Sequence, residues 1–108
     1  SWEGFTWLDF RDSQRSLLAF MRHTADKRDH VVVVCNFTPV PRHNYRLGVP
    51  EAGVYAEVLN SDTAVYGGSN IVNDQPLHTE PAPWQDQPHS IYVTLPPLGV
   101  IYLKKSHD

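Results

Sequence analysis

The segment His30-Val31-Val32-Val33-Val34-Cys35-Asn36-Phe37 carries most of the information about the fold. Its four consecutive valines are β-branched, and β-branched residues favour extended strands. An apolar run of this kind needs a paired neighbour, so the segment predicts a strand within a sheet. The polar stretch Thr24–Asp29 separates it from Ser16–His23, and the two apolar segments together predict a β-hairpin.

A second interpretation exists for Ser13–Arg22, which would form a capped helix. Ser13 would be the N-cap. Leu17, Phe20 and Met21 would share the apolar face of this helix. Periodicity alone does not separate the two interpretations, but the valine run that follows favours a strand because it requires a partner.

Two other segments alternate between faces. In Ile91–Leu95 the apolar residues alternate with Tyr92 and Thr94, a pattern typical of a half-buried strand. In Gly53–Asn60 the alternation predicts that Tyr55 faces away from the core. Short strands separated by turn residues predict an all-β protein, an antiparallel β-sandwich, in a single domain spanning residues 1–108. The remaining strand segments are Phe5–Phe10, Tyr45–Val49 and Val100–Lys104.

Cys35 is the only cysteine, so no internal disulfide is available. It shares a strand face with Val31, Val33 and Phe37, and we expect this face in the core, where a thiol behaves as a small hydrophobic group. A single free thiol suits a reducing compartment, and we therefore expect a cytoplasmic location. The only methionine, Met21, is internal, so the chain is expected to be part of a longer product.

Charge and hydropathy exclude two classes of partner. The net charge is −3 and the basic residues are scattered, whereas nucleic-acid binding requires a basic stripe that neutralises phosphates. No apolar run has the length of a membrane span. We therefore expect neither a nucleic-acid nor a membrane partner.

The sequence also predicts no catalytic residue, no metal site and no cofactor. Glycosyl transfer requires two carboxylates that flank a cleft. Glu57 lies on a strand without an acidic partner, and the six histidines lack metal-ligand spacing. Nine further acids fall in or beside turns, where carboxylates are usually solvated: Asp9, Asp12, Asp26, Asp29, Glu51, Asp62, Asp74, Glu80 and Asp86.

Several stretches, in order along essentially the whole chain, resemble the C-terminal domain of 1,4-α-glucan (glycogen) branching enzymes of the α-amylase superfamily. They are Gly4–Trp7, Ser16–Arg22, Asn36–Arg42, Tyr45–Pro50, Leu59–Asp62, Tyr66–Asn70 and Leu95–Leu98. The resemblance implies an antiparallel β-sandwich, with a strand at Ser16–Arg22. It also implies that a (β/α)8 barrel precedes this domain and carries the catalytic carboxylates, so none maps onto this chain. The parent would cut α-1,4-glucan chains and rejoin them through α-1,6 linkages.

The resemblance makes the catalytic barrel of the same parent chain the main partner. Residues 1–10 would form a leading segment that follows the barrel, and the aromatic residues Trp2, Phe5 and Trp7 would pack against it. The turn residues Tyr66 to Asn70 would offer amides and hydroxyls to the barrel backbone. In the alternative interpretation they form a tight turn that only closes a strand connection, with Gly67 or Gly68 at positive φ. The full set of candidate turn residues is Asn60, Ser61, Asp62, Tyr66, Gly67, Gly68, Ser69 and Asn70.

An alternative hypothesis is an independent carbohydrate-binding β-sandwich, with α-glucan as the ligand. Aromatic faces suit pyranose rings. The candidate glucan contacts are Tyr55, Trp84 and Tyr92, with Tyr102 as a further aromatic residue. An adhesion-type sandwich is disfavoured, because the Cys…Trp…Cys spacing of such domains is missing.

Overall fold

The computed structural model describes residues 5–9, 17–23 and 29–106, which form eight β-strands. A 3-10 helix covers Ala64–Tyr66. None of the helices in this described part is long and apolar enough to cross a membrane. The strands are β1 (Phe5–Asp9), β2 (Leu17–His23), β3 (His30–Asn36), β4 (Arg42–Val49), β5 (Val54–Asn60), β6 (Leu77–His78), β7 (His89–Leu95) and β8 (Gly99–Lys105).

Two antiparallel sheets form the two layers of the domain. The large sheet has six strands in the order β1-β2-β3-β8-β5-β6, and the small sheet pairs β4 with β7. Every strand pair is antiparallel. The prediction of an all-β, antiparallel sandwich is confirmed.

The valine-rich strand β3 lies inside the large sheet, as its composition predicts. It pairs with β2 from Leu17↔Asn36 to His23↔His30, and with β8 on its other side. The neighbouring apolar segment, predicted as a strand over Ser16–His23, is confirmed as β2 over Leu17–His23. Residues 13–16, where the alternative helix would begin, lie outside the described part of the chain.

The core fills the space between the two sheets. Ile91, Val93 and Leu95 are at most 2% exposed, which confirms the inward face predicted for β7. Burying an aliphatic side chain of this size stabilises a fold by about 1.5–3 kcal/mol. The residues that the large sheet contributes include Leu17, Ala19, Met21, Val32, Val34, Ile101 and Leu103, and β4 adds Leu47 and Val49.

One prediction about β3 is wrong. The side chains that enter the core between the sheets are Val32 and Val34, whereas the sequence predicted the opposite face of the strand, which carries Cys35. Val32 and Val34 are 0% and 1% exposed and belong to the core cluster. Cys35 and Val33 are also buried, but on the outer face of the sheet, where Phe37 is 58% exposed. A central strand is buried on both faces, so period-two alternation does not identify the inner one. The predicted burial of Cys35 itself is confirmed, and burial raises the pKa of its thiol.

The predicted orientation of β5 is also wrong. Tyr55 is 0% exposed and lies in the core, whereas Val58 is 56% exposed. The pairing of β5 with β8 shifts register between Glu57 and Leu59. Tyr55 precedes this bulge, so its burial reverses the predicted faces from the start of the strand. The bulge then turns Leu59 outward and Asn60 inward, because one inserted residue inverts the faces of the residues that follow it.

The proline-rich segment 73–89, which lacks sequence periodicity, is held by specific contacts. The side chain of Asn73 pairs with the backbone of Thr94 in both directions, at 2.8 Å each, and donates to Glu57 at 2.9 Å. It therefore links β5 of the large sheet to β7 of the small sheet. Further along, Trp84 and Gln87 exchange two backbone hydrogen bonds and close a tight turn.

Candidate functional site

The carboxylates with resolved contacts hold loops and strands in place. Glu57 accepts hydrogen bonds from the side chains of Asn60 (2.8 Å) and Asn73 (2.9 Å). Asp29 pairs with Lys104 at 3.2 Å. Within residues 5–9, 17–23 and 29–106, no group of three or more His, Cys, Asp or Glu residues is placed to hold a metal ion.

Several loops that carry the family resemblance meet at one end of the sandwich. Asn36 donates from Nδ2 to the carbonyl oxygens of Val40 and Pro96, each at 2.9 Å. Its Oδ1 accepts from the backbone N–H (3.0 Å) and the hydroxyl (2.7 Å) of Thr38. The N–H of Leu98 then donates to the carbonyl of Thr38 at 2.8 Å. Asn36 is 1% exposed, so its hydrogen bonds join two loops that would otherwise bury unpaired polar groups.

The turn between residues 60 and 71 is closed around Asp62. Its carboxylate accepts hydrogen bonds from the backbone N–H groups of Ile71 (2.9 Å) and Ser69 (3.1 Å) and from the Ser69 hydroxyl (2.8 Å). The N–H of Ile71 contributes most to lowering the pKa of Asp62 below its ordinary value; burial opposes this effect and Ser69 adds to it. A Cβ on Gly68 would overlap the backbone of Asp62. Asp62 and Ser69 are therefore paired within the turn itself, and contact of this turn with a barrel stays a prediction.

An apolar row crosses the outer face of the large sheet through five strands. Trp7 pairs in register with Phe20, Phe20 with Val33, Val33 with Tyr102, and Tyr102 with Leu59. Trp7, Tyr102 and Leu59 are 46%, 39% and 40% exposed. The apolar row, defined by these five residues, lies on a face that is normally polar in a solvated antiparallel sandwich.

A groove of about 550 Å³ adjoins the apolar row. Phe5 stacks on Phe20 with ring centroids 4.8 Å apart and meets Trp7 edge-on at 4.9 Å. Arg22 and Lys104 line the same groove. Contiguous exposed apolar surface with a charged rim marks sites of protein–protein contact.

The structure places the candidate interface residues in two regions, at opposite ends of the apolar row. Phe5 and Trp7 adjoin or belong to the apolar row, whereas Trp2 lies outside the described residues. The turn that begins at Asn60 directly follows Leu59, the last member of the row. Within this turn Gly67 has a φ of 81°, which confirms the expected positive φ at one of the two glycines.

Tyr55 is not available as a glucan contact, because it is fully buried. Its hydroxyl donates to the carbonyl of Glu51 at 3.2 Å and lies 2.8 Å from Nε2 of His30. On the other side of the ring, Nδ1 of His30 lies 3.8 Å from the carboxylate of Glu51. Burial raises the pKa of Tyr55 well above its ordinary value and lowers that of His30.

Trp84 and Tyr92, by contrast, are each 44% exposed, and the guanidinium of one arginine lies close to both rings. The guanidinium carbon of Arg46 lies 4.8 Å from the Trp84 ring centroid and 5.7 Å from that of Tyr92. Nε of Arg46 donates to the hydroxyl of Ser90 at 3.2 Å. We call Trp84, Arg46 and Tyr92 the aromatic platform; it belongs to the small sheet and its adjoining turn.

Sequence reasoning missed Arg46 and Phe20. Arg46 joins the platform because it pairs in register with Tyr92, and pairing between β4 and β7 cannot be read from the alternation of either strand. Phe20 was considered only as part of a helix face. Its place on the outer face follows once β2 is a strand, since Ala19 and Met21 then face the core.

Comparison with known proteins agrees with this architecture. The family described as "Alpha amylase, C-terminal all-beta domain" matches residues 7–106. Proteins named 1,4-alpha-glucan branching enzyme GlgB match 94% of this chain: that of Thiobacillus denitrificans at 54% identity, that of Cellvibrio japonicus at 51% and that of Aquifex aeolicus at 45%.

The chain spans only a small part of these relatives: 14% of the length of the Thiobacillus and Cellvibrio proteins and 16% of the Aquifex protein. The family match, in contrast, covers almost all of the chain. With its two antiparallel sheets, the chain belongs to the α-amylase C-terminal all-β domain family.

Proposed function

We propose that this chain serves as the non-catalytic C-terminal domain of a 1,4-α-glucan branching enzyme, and that its apolar row packs against the catalytic domain of the same parent chain. The observation that carries the proposal is the row itself, a continuous apolar band on a face that a free-standing sandwich would keep polar. The length of the relatives supports it, because most of each relative lies outside the region that this chain matches.

Exposure along the row fits a docking surface rather than a second core. Trp7, Tyr102 and Leu59 keep about two-fifths of their surface in contact with solvent. Covering them with a partner would recover about 25 cal/mol for each Å² of apolar surface buried. Arg22 at the rim is placed to meet acidic or polar groups, which gives such a contact its orientation.

Within this proposal the turn around Asp62 has a supporting role. Its polar groups bond to one another, so it would present a pre-formed, rigid edge beside Leu59 instead of being ordered by the partner. Preorganisation of this kind lowers the entropic cost of docking. A cytoplasmic location remains part of the proposal; it is supported by the single buried thiol of Cys35.

Two tyrosines on opposite sheets provide a matched test. Tyr102→Asp would place a charge in the apolar row, whereas Tyr92→Asp makes the same change at 44% exposure on the small sheet. In a full-length protein carrying this domain, differential scanning calorimetry should show that Tyr102→Asp gives the domain its own, earlier transition. Tyr92→Asp should leave a single joint transition.

Limited proteolysis gives a second measurement that does not depend on thermal unfolding. We expect the Tyr102→Asp protein to release a folded C-terminal fragment faster than the unsubstituted protein. Equal release from both tyrosine variants, together with identical calorimetric profiles, would remove the apolar row as the docking surface. Leu59→Asp, at 40% exposure on β5 of the same row, repeats the test on a second strand.

A further inference from the structure

We infer that the aromatic platform is a surface site for α-1,4-linked glucan chains. The inference rests on the proposed function, which makes α-glucan the polymer that the parent protein acts on. It assigns a direct ligand-binding role to the small sheet, on the opposite side of the sandwich from the apolar row. The domain would thus hold the catalytic domain with one sheet and a glucan chain with the other.

The chemistry of the three side chains matches a pyranose chain. The C–H face of a glucose ring packs on an aromatic face, which Trp84 and Tyr92 each provide at 44% exposure. A guanidinium carries five N–H donors, and within the described part of the chain only Nε of Arg46 has a hydrogen-bond partner, the Ser90 hydroxyl. Arg46 has no carboxylate in salt-bridge contact among the described residues, so its terminal N–H groups are free to donate to sugar hydroxyls.

The platform is fixed before any ligand arrives. Gln85 accepts a hydrogen bond from the N–H of Gly48 at 2.8 Å and donates to the hydroxyl of Tyr45 at 3.0 Å, which ties the Trp84 turn to β4. The carbonyl of Trp84 occupies the space that a Cβ on Gly48 would need. The turn therefore lies directly on the strand that carries Arg46, and a rigid site loses little conformational entropy on binding.

Backbone conformation in this turn points the same way. Gln85 and Asp86 both have positive φ, 52° and 62°, although neither is glycine. Non-glycine residues in the left-handed region are strained, and such strain persists where surrounding contacts over-determine it. Here the two backbone bonds between Trp84 and Gln87 and the bonds of the Gln85 side chain hold the turn, which keeps the Trp84 ring beside Arg46.

The site can be tested with the 108-residue chain in native gels that contain amylopectin. We expect the unsubstituted chain to be retarded, and maltoheptaose in the gel to relieve the retardation. Trp84→Ala and Tyr92→Ala should each weaken retention by about fivefold to tenfold, the effect of losing one stacking ring. Tyr102→Ala, a matched tyrosine on the other sheet, should migrate as the unsubstituted chain does.

Circular dichroism and thermal melts identify any variant that fails to fold. If an alanine variant fails to fold, Arg46→Lys takes its place in the test. This variant retains the positive charge but removes the planar, multidentate guanidinium, and it should also weaken retention. Absence of retardation for the unsubstituted chain, or equal retention by the platform variants, would overturn the inference. The calorimetric test on Tyr102→Asp measures docking through the large sheet and does not depend on glucan binding. A negative result in the gels therefore leaves the docking proposal intact, and a negative calorimetric result leaves the glucan site intact.

Discussion

Single residues in this domain show how hydrogen-bonding capacity decides between core and surface. Tyr55 is apolar enough for the core and also finds two partners there, His30 and the carbonyl of Glu51. Alternation in β5 predicted the opposite orientation, because it contains no information about partners contributed by other strands. Val58, which alternation placed inside, lies on the face opposite to buried Tyr55 and is therefore exposed, and the bulge after Glu57 turns Leu59 outward as well.

Replacing Tyr55 with Phe should therefore destabilise the domain while preserving its shape. The change removes a hydroxyl that satisfies buried His30, and leaving such a group unpaired costs about 1–3 kcal/mol. Urea unfolding followed by tryptophan fluorescence measures the loss. Tyr102→Phe is the control: its ring is 39% exposed, and we expect a change within about 0.5 kcal/mol. Equal effects in the two variants would mean that the hydroxyl of Tyr55 contributes nothing to stability.

At the scale of the element, the strands with strong composition or alternation were predictable and the loops were not. The valine-rich β3 and the alternating β7 were found with boundaries shifted by one or two residues. The sequence predicts neither the two-residue strand β6, which is held by its pairing with β5, nor the turn at Trp84, which is held by its own backbone bonds and by the side chain of Gln85. Such contacts join residues far apart in the chain and leave no local periodicity.

The turn around Asp62 offers a test with two adjacent glycines. Gly68→Ala would place a Cβ against the Asp62 backbone and displace Ser69, so the pKa of Asp62 should rise towards its ordinary value. Gly67→Ala meets open space but retains a φ of 81°, and its cost should be limited to the strain of about 1–2 kcal/mol. Carbon-detected NMR titration of the Asp62 carboxyl distinguishes them. The same pKa in both variants would show that Gly68 is not required for this close approach.

For the whole molecule, the sequence predicted the class, the layers and the family, whereas it did not predict which faces remain open. When the outer face of a sheet is apolar, the sequence alone does not distinguish it from the core face, because the position of the second sheet decides which face is covered. Val33 and Cys35 illustrate this ambiguity. Similarly, the aromatic platform exists only because β4 and β7 pair and bring Arg46 beside Tyr92.

Stability of the whole domain should fall in mildly acidic solution. Burial lowers the pKa of His30 below its ordinary value of 6.5; Glu51 and Asp29 oppose this shift, while His23 and Lys105 add to it. The unfolded chain therefore takes up this proton at higher pH than the native chain does, and protonation favours unfolding. Stability is full above about pH 6.5 and decreases as the pH falls towards the lowered native pKa.

Urea midpoints measured between pH 8 and pH 5 check this dependence. His30→Gln should flatten the decrease, whereas His78→Gln, at an exposed position, should leave it unchanged. A second decrease is expected below about pH 4, because Asp62 has a native pKa below its ordinary value of 3.8 and the unfolded chain protonates first. A midpoint that is constant from pH 8 to pH 5 would contradict the role given to His30.

The position of β8 has a consequence for biosynthesis. This strand is the last of the described elements, yet it pairs with β3 on one side and β5 on the other at the centre of the large sheet. During translation β3 and β5 would emerge with open edges, and the sheet cannot close until Lys105 has left the ribosome exit tunnel. Such non-local pairing slows folding, and unpaired apolar strands invite aggregation or chaperone binding in the interval. A nascent chain that stops before Gly99 would therefore lack the strand that joins the two halves of the sheet, and it would present the valine run of β3 as an exposed edge.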